Sequence, residues 1–201
     1  MKHIIATAAV VGLTGVAGAQ AITSLSGGSL FDIYYGASTG DVVGWAFDLN
    51  TDVIVTDLGV YNNDADGLTS NHQIGIWDSL GNLMTSGTAG PGGAVVGDWT
   101  YTDVTDATLT AGERYTIGAM YASGDGDSYI SSPSSLGLAA EVNATTNGVF
   151  PSIGDLGFVM PTEQSTNLGR FGPNFLFRDV PAPSALALLG LGGLVASRRR
   201  R

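Results

Sequence analysis

Apolar and polar residues alternate along most of the chain with a period of two, the pattern of strands that bury one face. In VVGWAFDLN, residues 42–50, Val43, Trp45, Phe47 and Leu49 share one face, and Gly44, Ala46 and Asp48 share the other. In DVIVTDLGVY, residues 52–61, strict alternation puts Ile54, Leu58 and Val60 on one side with Thr56 between them. Val53, Val55, Asp57, Gly59 and Tyr61 then lie opposite. HQIGIWDS reads as a strand with Ile74 and Ile76 on one face. The turn Ser79-Leu80-Gly81-Asn82 leads from it into GNLMTSGT as a hairpin. GDWTYTDV, ERYTIGAMYAS and PNFLFRDV complete the obvious set, with Tyr115, Ile117, Ala119 and Tyr121 facing inward together. Roughly eight to ten such strands, punctuated by turn residues, predict an all-β fold: a single antiparallel β-sandwich, jelly-roll-like. Residues 124–169 are rich in Ser, Gly, Asn and Thr and read as long loops with one or two edge strands.

The two ends break the alternation. The amino end, MKHIIATAAVVGLTGVAGAQA, has a short charged lead at Lys2 and His3, an apolar run from Ile4, and small residues at Ala17, Ala19 and Ala21. These are the parts of a secretory signal peptide, with cleavage expected after Ala19 or Ala21. The carboxyl end reads VPAPSALALLGLGGLVASRRRR. Its apolar run, residues 184–197, would make a helix of about 21 Å, short for a bilayer core of about 30 Å. Arg198, Arg199, Arg200 and Arg201 would stay on the cytoplasmic side and halt translocation. Pro181 and Pro183 disfavour both strand and helix, which leaves that segment extended and accessible. The chain therefore divides into a signal peptide (1–21), a β-sandwich ectodomain (22–179) and a tail (180–201). A signal helix and a hydrophobic sorting helix flank the sandwich.

Removing the ends changes the charge. The sequence holds eight Lys and Arg and eighteen Asp and Glu. Only Arg114, Arg170 and Arg178 remain in the body beside all eighteen acids, a formal charge of −15. Such a surface repels nucleic acid and anionic membranes and attracts divalent cations. Each arginine reads as an ion-pair partner for neighbouring acids. Cysteine is absent, so neither disulfides nor thiol chemistry is available. His72 is the one histidine left after signal removal, which rules out a site built on two histidines of one chain.

Candidate chemistry is sparse. YNNDADGLTSNH, residues 61–72, gathers Asn62, Asn63, Asp64 and Asp66 ahead of Gly67, a set of hard oxygen donors. Asn62, Asp64 and Asp66 are the candidate calcium ligands; the competing reading is an ordinary Asn/Asp/Gly connection between strands. GDGD at 124–127 is a second acidic loop and a weaker candidate of the same kind, since Asp-Gly pairs are common turn formers. His72 lacks a G-x-S-x-G partner, so it reads as a histidine hydrogen-bonded to loop backbone rather than a hydrolase base. No enzyme activity is expected. Among the aromatics, Trp45 reads as core. Trp77, out of phase with Ile74 and Ile76, is the candidate glycan contact unless both faces of its strand are covered. Trp99, Tyr34, Tyr35, Tyr61, Tyr101 and Tyr129 read as core or edge cover. Asn143-Ala144-Thr145 is a formal glycosylation sequon, silent in a bacterium.

Two resemblances add to this reading. The tail resembles the PEP-CTERM sorting signal, which membrane exosortases recognise. Val180-Pro181-Ala182-Pro183 stands in the place of the family's Pro-Glu-Pro element, with alanine where glutamate is usual. The body, through VVGWAFDLN, the DGL…HQIGIW segment, the GNL hairpin, LTAGERYTIGA and GPNFLF, resembles a bacterial exported β-sandwich domain of unknown function. Together they imply the secretion machinery and an exosortase as partners. They also imply transient inner-membrane contact through the tail, then delivery to the cell surface or extracellular matrix. The expected role is a non-enzymatic structural or adhesive component. The alternative is a carbohydrate-binding module for surface polysaccharide, stabilised by calcium.

Overall fold

The structure is a computed structural model that describes residues 18–31, 40–63, 66–150, 157–164 and 169–181. The signal run, Tyr34, Tyr35, Asp64, Ala182, Pro183 and the arginine cluster lie outside the described residues, as do both expected flanking helices. Among the described residues the regular structure is all strand, and no helix is long and apolar enough to cross a membrane.

Among the described residues, sixteen strands follow in order. They are β1 (Ala19–Gln20), β2 (Ile22–Ser26), β3 (Ser29–Phe31), β4 (Asp41–Leu49), β5 (Val53–Tyr61), β6 (His72–Asp78), β7 (Leu83–Ala89) and β8 (Ala94–Val96). Then come β9 (Trp99–Leu109), β10 (Arg114–Tyr121), β11 (Tyr129–Ser131), β12 (Ser135–Leu138), β13 (Val142–Phe150), β14 (Glu163–Gln164), β15 (Arg170–Phe171) and β16 (Pro173–Asp179). One main sheet has the order β1-β16-β5-β9-β8 and the other β14-β13-β4-β10-β6-β7, with β15-β11-β3 and β12-β2 as small satellites. The strand pairs are antiparallel. Taken along the chain, β1, β4, β5, β6, β7, β9, β10 and β16 distribute as β1-β16-β5-β9 facing β4-β10-β6-β7. That interleaving of two Greek keys is a jelly roll. It puts the first and last strands of the body side by side.

The core lies between the two sheets. Trp45, Phe47, Phe175 and Phe177 are each at most 1% exposed, and the Phe47 ring sits 5.0 Å from Phe175 and 5.2 Å from Trp45. The indole nitrogen of Trp45 donates to the Pro173 carbonyl at 2.9 Å, which removes the penalty for burying it. Tyr115, Ile117, Ala119 and Tyr121 are all buried, as their alternation predicts.

In β5 the structure corrects the expected faces. Val53, Val55, Leu58 and Val60 are all fully buried, while Ile54 is half-buried. The register with β9 shifts between Val55 and Asp57, and that with β16 between Leu176 and Phe177. One irregular step reverses the phase of the alternation, so both halves of β5 turn apolar residues inward. The expected loop region also contains a nine-residue strand, β13, beside β4. Its own register shift between Ala144 and Gly148 interrupts the pattern by which it would be read.

Three glycines explain the recurrent motif pieces GWAF, IGIW and IGAM. Gly44, Gly118 and Gly75 are direct cross-strand partners on β4, β10 and β6, making a trough on the outer face of that sheet. A Cβ on Gly75 would come within 2.9 Å of Phe158, and one on Gly118 within 3.3 Å of Pro161. The trough is filled by residues 157–164, which run on into β14 and pair with β13.

The register also defines two poles. β16 runs antiparallel to β5, with Asp179 opposite Val53 and Pro173 opposite Val60. β1 is antiparallel to β16, with Ala19 opposite Phe177. The chain therefore enters before Gly18 and leaves after Asp179 at the same pole. Tyr61 and the segment after it lie at the other pole, roughly 26 Å away for eight steps of a strand at about 3.3 Å each.

Candidate functional site

At that far pole, the segment following β5 meets the loop between β10 and β11. Residues there line a polar cavity of about 150 Å³ whose walls include Tyr61, Asn62, Asn63, Asp66, Asp127 and Ser128. The two loops are stitched together by one carboxylate. Asp127 Oδ1 accepts from Thr69 N at 2.9 Å, and Oδ2 accepts from Thr69 N at 3.0 Å and Ser70 N at 2.9 Å. His72 Nε2 completes the set at 2.8 Å from Oδ2. Its Nδ1 lies 2.8 Å from the Met120 carbonyl oxygen. Both ring nitrogens thus face acceptors, and the ring, 1% exposed, packs 4.8 Å from Tyr121.

Asp125 supports the same corner. Its carboxylate accepts from Ala122 N at 2.7 Å and Asp127 N at 3.1 Å, and it stands 3.9 Å from His72 Nδ1. Burial pushes its carboxyl above the usual carboxylate value, although the two N–H donors and His72 pull it back. The Tyr121 phenol is pushed up as well, first by burial and then by the charges of Asp125 and Asp127.

This geometry sorts the sequence candidates. Asn62 and Asp66 both reach the cavity, Asn62 as a buried side chain and Asp66 as an exposed one, while Asp64 lies outside the described residues. The Asn62 amide donates to Thr100 Oγ1 at 3.3 Å, and its backbone N–H donates to Asp98 O at 2.7 Å. Among the described residues, no group of three or more His, Asp or Glu side chains is arranged to hold a metal ion. His72 is committed on both nitrogens to structural acceptors, which leaves neither free to take a proton from a nucleophile. Asp127, which takes Nε2, and Asp125, 3.9 Å from Nδ1, both belong to the GDGD stretch, the second acidic loop of the sequence. They lie more than fifty residues from His72, so only the fold brings them together.

The aromatic candidates are mostly enclosed. Trp77 does lie opposite Ile74 and Ile76, but both faces of its strand are covered. It is 5% exposed, with the Phe158 ring 5.3 Å away. A sugar could stack on it only by displacing Phe158. Trp99, Tyr61, Tyr101 and Tyr129 are buried too, with Tyr61 edge-on to Trp99 at 5.7 Å. Of the body's arginines, Arg114 pairs with Asp48 at 3.0 Å and Arg178 with Asp106 at 2.6 Å on the surface, and Arg170 donates to Tyr129 Oη at 3.1 Å.

The opposite pole carries the second functional element. β16 stays hydrogen-bonded to β5 through Asp179, and Val180, 38% exposed, is the first residue beyond the ladder. Pro181 follows at once. Residues 179–201 match the PEP-CTERM protein-sorting motif. No curated protein matches the chain. The PEP-CTERM motif marks an exported protein that an exosortase processes, with a tail that associates with the membrane beforehand. It is joined to the folded body without a spacer.

Proposed function

We propose that the protein is a non-enzymatic structural or adhesive component of the cell surface or extracellular matrix. It would be held at the inner membrane by its tail and released when an exosortase acts near Val180-Pro181-Ala182-Pro183. The observation that carries this reading is the direct junction between β16 and the sorting motif, at the pole opposite the polar cavity. A body tethered there would present the far pole, with its Asn62, Asp66 and Asp127 oxygens, to whatever lies outside. The commitment of His72 to two structural acceptors favours a supporting role for that corner over a catalytic one. Replacing Arg198, Arg199, Arg200 and Arg201 with serine tests the tail. Loss of processing and misrouted protein, read by intact mass and surface labelling, supports the reading; unchanged processing and delivery would refute it.

The second reading is a carbohydrate-binding module stabilised by calcium, and the polar cavity is what favours it. Its oxygens are of the hard type that calcium accepts, and bound ion would stiffen the two facing loops. A melting temperature that rises with added calcium and falls with chelator, together with glycan-array binding, would support it. An identical melting temperature in both conditions would eliminate the metal.

A further inference from the structure

We propose that the mature chain begins at Gln20, by cleavage after Ala19 and not after Ala21. This rests on reading the amino-terminal run as a secretory signal. Two tripeptides, Ala17-Gly18-Ala19 and Ala19-Gln20-Ala21, present small residues at the positions a signal peptidase reads. On pattern alone they are equivalent. The fold separates them.

Ala21 is fully buried, its N–H donates to Phe175 O at 3.0 Å, and its carbonyl accepts from Ala139 N at 3.0 Å. Ile22 is fully buried as well and is clamped by one side chain. Its N–H donates to Asn174 Oδ1 at 2.9 Å, and Asn174 Nδ2 donates back to Ile22 O at 3.0 Å. Asn174 is itself fully buried. A chain starting at Ile22 would place a charged ammonium, with three N–H donors, where the fold supplies one amide acceptor. It would also strip Phe175 O and Ala139 N of their partner. Burying an unpaired charge and orphaning two backbone groups both oppose folding.

A chain starting at Gln20 avoids each of these costs. Ala21 keeps both backbone bonds, and the new ammonium sits on a half-buried residue at the sheet edge. The Gln20 side chain also keeps its own role, since Nε2 donates to Val96 O at 3.0 Å and reaches Tyr101 Oη at 3.3 Å. What is given up is the edge pairing of the exposed Ala19 with Phe177.

Intact mass and amino-terminal sequencing of the exported protein test the register. A start at Gln20, as glutamine or as its cyclised form after loss of ammonia, supports the proposal. A start at Ile22 or Gly18 overturns it while leaving the secretory reading intact. Retention of Met1 overturns both. Ala17→Leu lies in the segment to be removed and blocks the first tripeptide only. It should raise the precursor-to-mature ratio several-fold, and unchanged processing would place the cut elsewhere.

Discussion

Asp127→Ala separates burial from distance as the source of a carboxylate's contribution to stability. Asp127 is 7% exposed and holds Thr69 N, Ser70 N and His72 Nε2. Hydrogen bonds to a charged group are worth about 1.5–3 kcal/mol each. Ser70 is half-buried and Thr69 exposed, so water can replace much of what their N–H groups lose. His72, 1% exposed, has no such recourse. Losing three hydrogen bonds to a charged acceptor, two of them largely replaced by water, while leaving the buried His72 nitrogen without its partner, sums to about 4 kcal/mol. For a chain of this size each kcal/mol moves the melting temperature by about 2–4 °C, which predicts a drop of roughly 8–16 °C. The comparison is Asp106→Ala, which removes the shorter Arg178–Asp106 pair at 2.6 Å, with side chains 37% and 54% exposed. Exposed pairs contribute about 0.2–1 kcal/mol, hence a drop of about 4 °C at most. Thermal unfolding followed by near-ultraviolet circular dichroism at neutral pH reads both variants. Equal drops, or a larger one for Asp106→Ala, would refute the argument.

Three further outcomes follow from particular contacts. Gly75→Val should push Phe158 out of the glycine trough, at about 1–3 kcal/mol of overpacking, and expose Trp77; unchanged tryptophan fluorescence would count against that cover. The Tyr121 hydroxyl is buried with no hydrogen-bond partner among the described residues. Tyr121→Phe should therefore stabilise by about 1 kcal/mol or more, and a lower melting temperature would reveal a partner for it. Burial raises the Asp125 carboxyl above its ordinary 3.8, so the folded chain holds a proton that the unfolded chain has released. Its contribution to stability must fall as pH climbs through the window just above 3.8. Asp125→Asn should remove that slope, and an unaltered stability-versus-pH curve would show that Asp125 does not carry it.

The sandwich was legible where a strand keeps its alternation and pairs with its neighbour without a register shift, as β4 and β10 pair with each other. Their Trp45, Phe47, Tyr115 and Ile117 all lie in the core. Legibility failed wherever an irregular step intervened. In β5 the shift near Val55 brings both apolar sets to one face, and in β13 a shift falls inside a run of small polar residues. Trp77 lies off the inner face, packed on Phe158. Its cover comes from residues about eighty positions away, which no local pattern encodes. The far-pole corner was half visible for the same reason. Asn62, Asp66 and His72 sit in one legible stretch, whereas Asp125 and Asp127 join them only through the pairing of β10 with β6.

The jelly-roll order places tight limits on how this chain can be trimmed. β16 lies between β1 and β5, so it is an interior strand of its sheet, and its ladder with β5 runs through Asp179. A cut upstream of Asp179 would take hydrogen-bond partners from Val53 and Ile54 and open the core beside Phe177. The transition from structural to disposable chain is therefore about one residue wide, at Val180. The neighbouring β1 sets a similar limit at the other end, where Ala21 is already core. Because the two ends are adjacent in the sheet, a tether at either one leaves the same pole facing outward. In the proposed arrangement, retaining or removing the signal run would change which segment holds the body, but not which loops it presents.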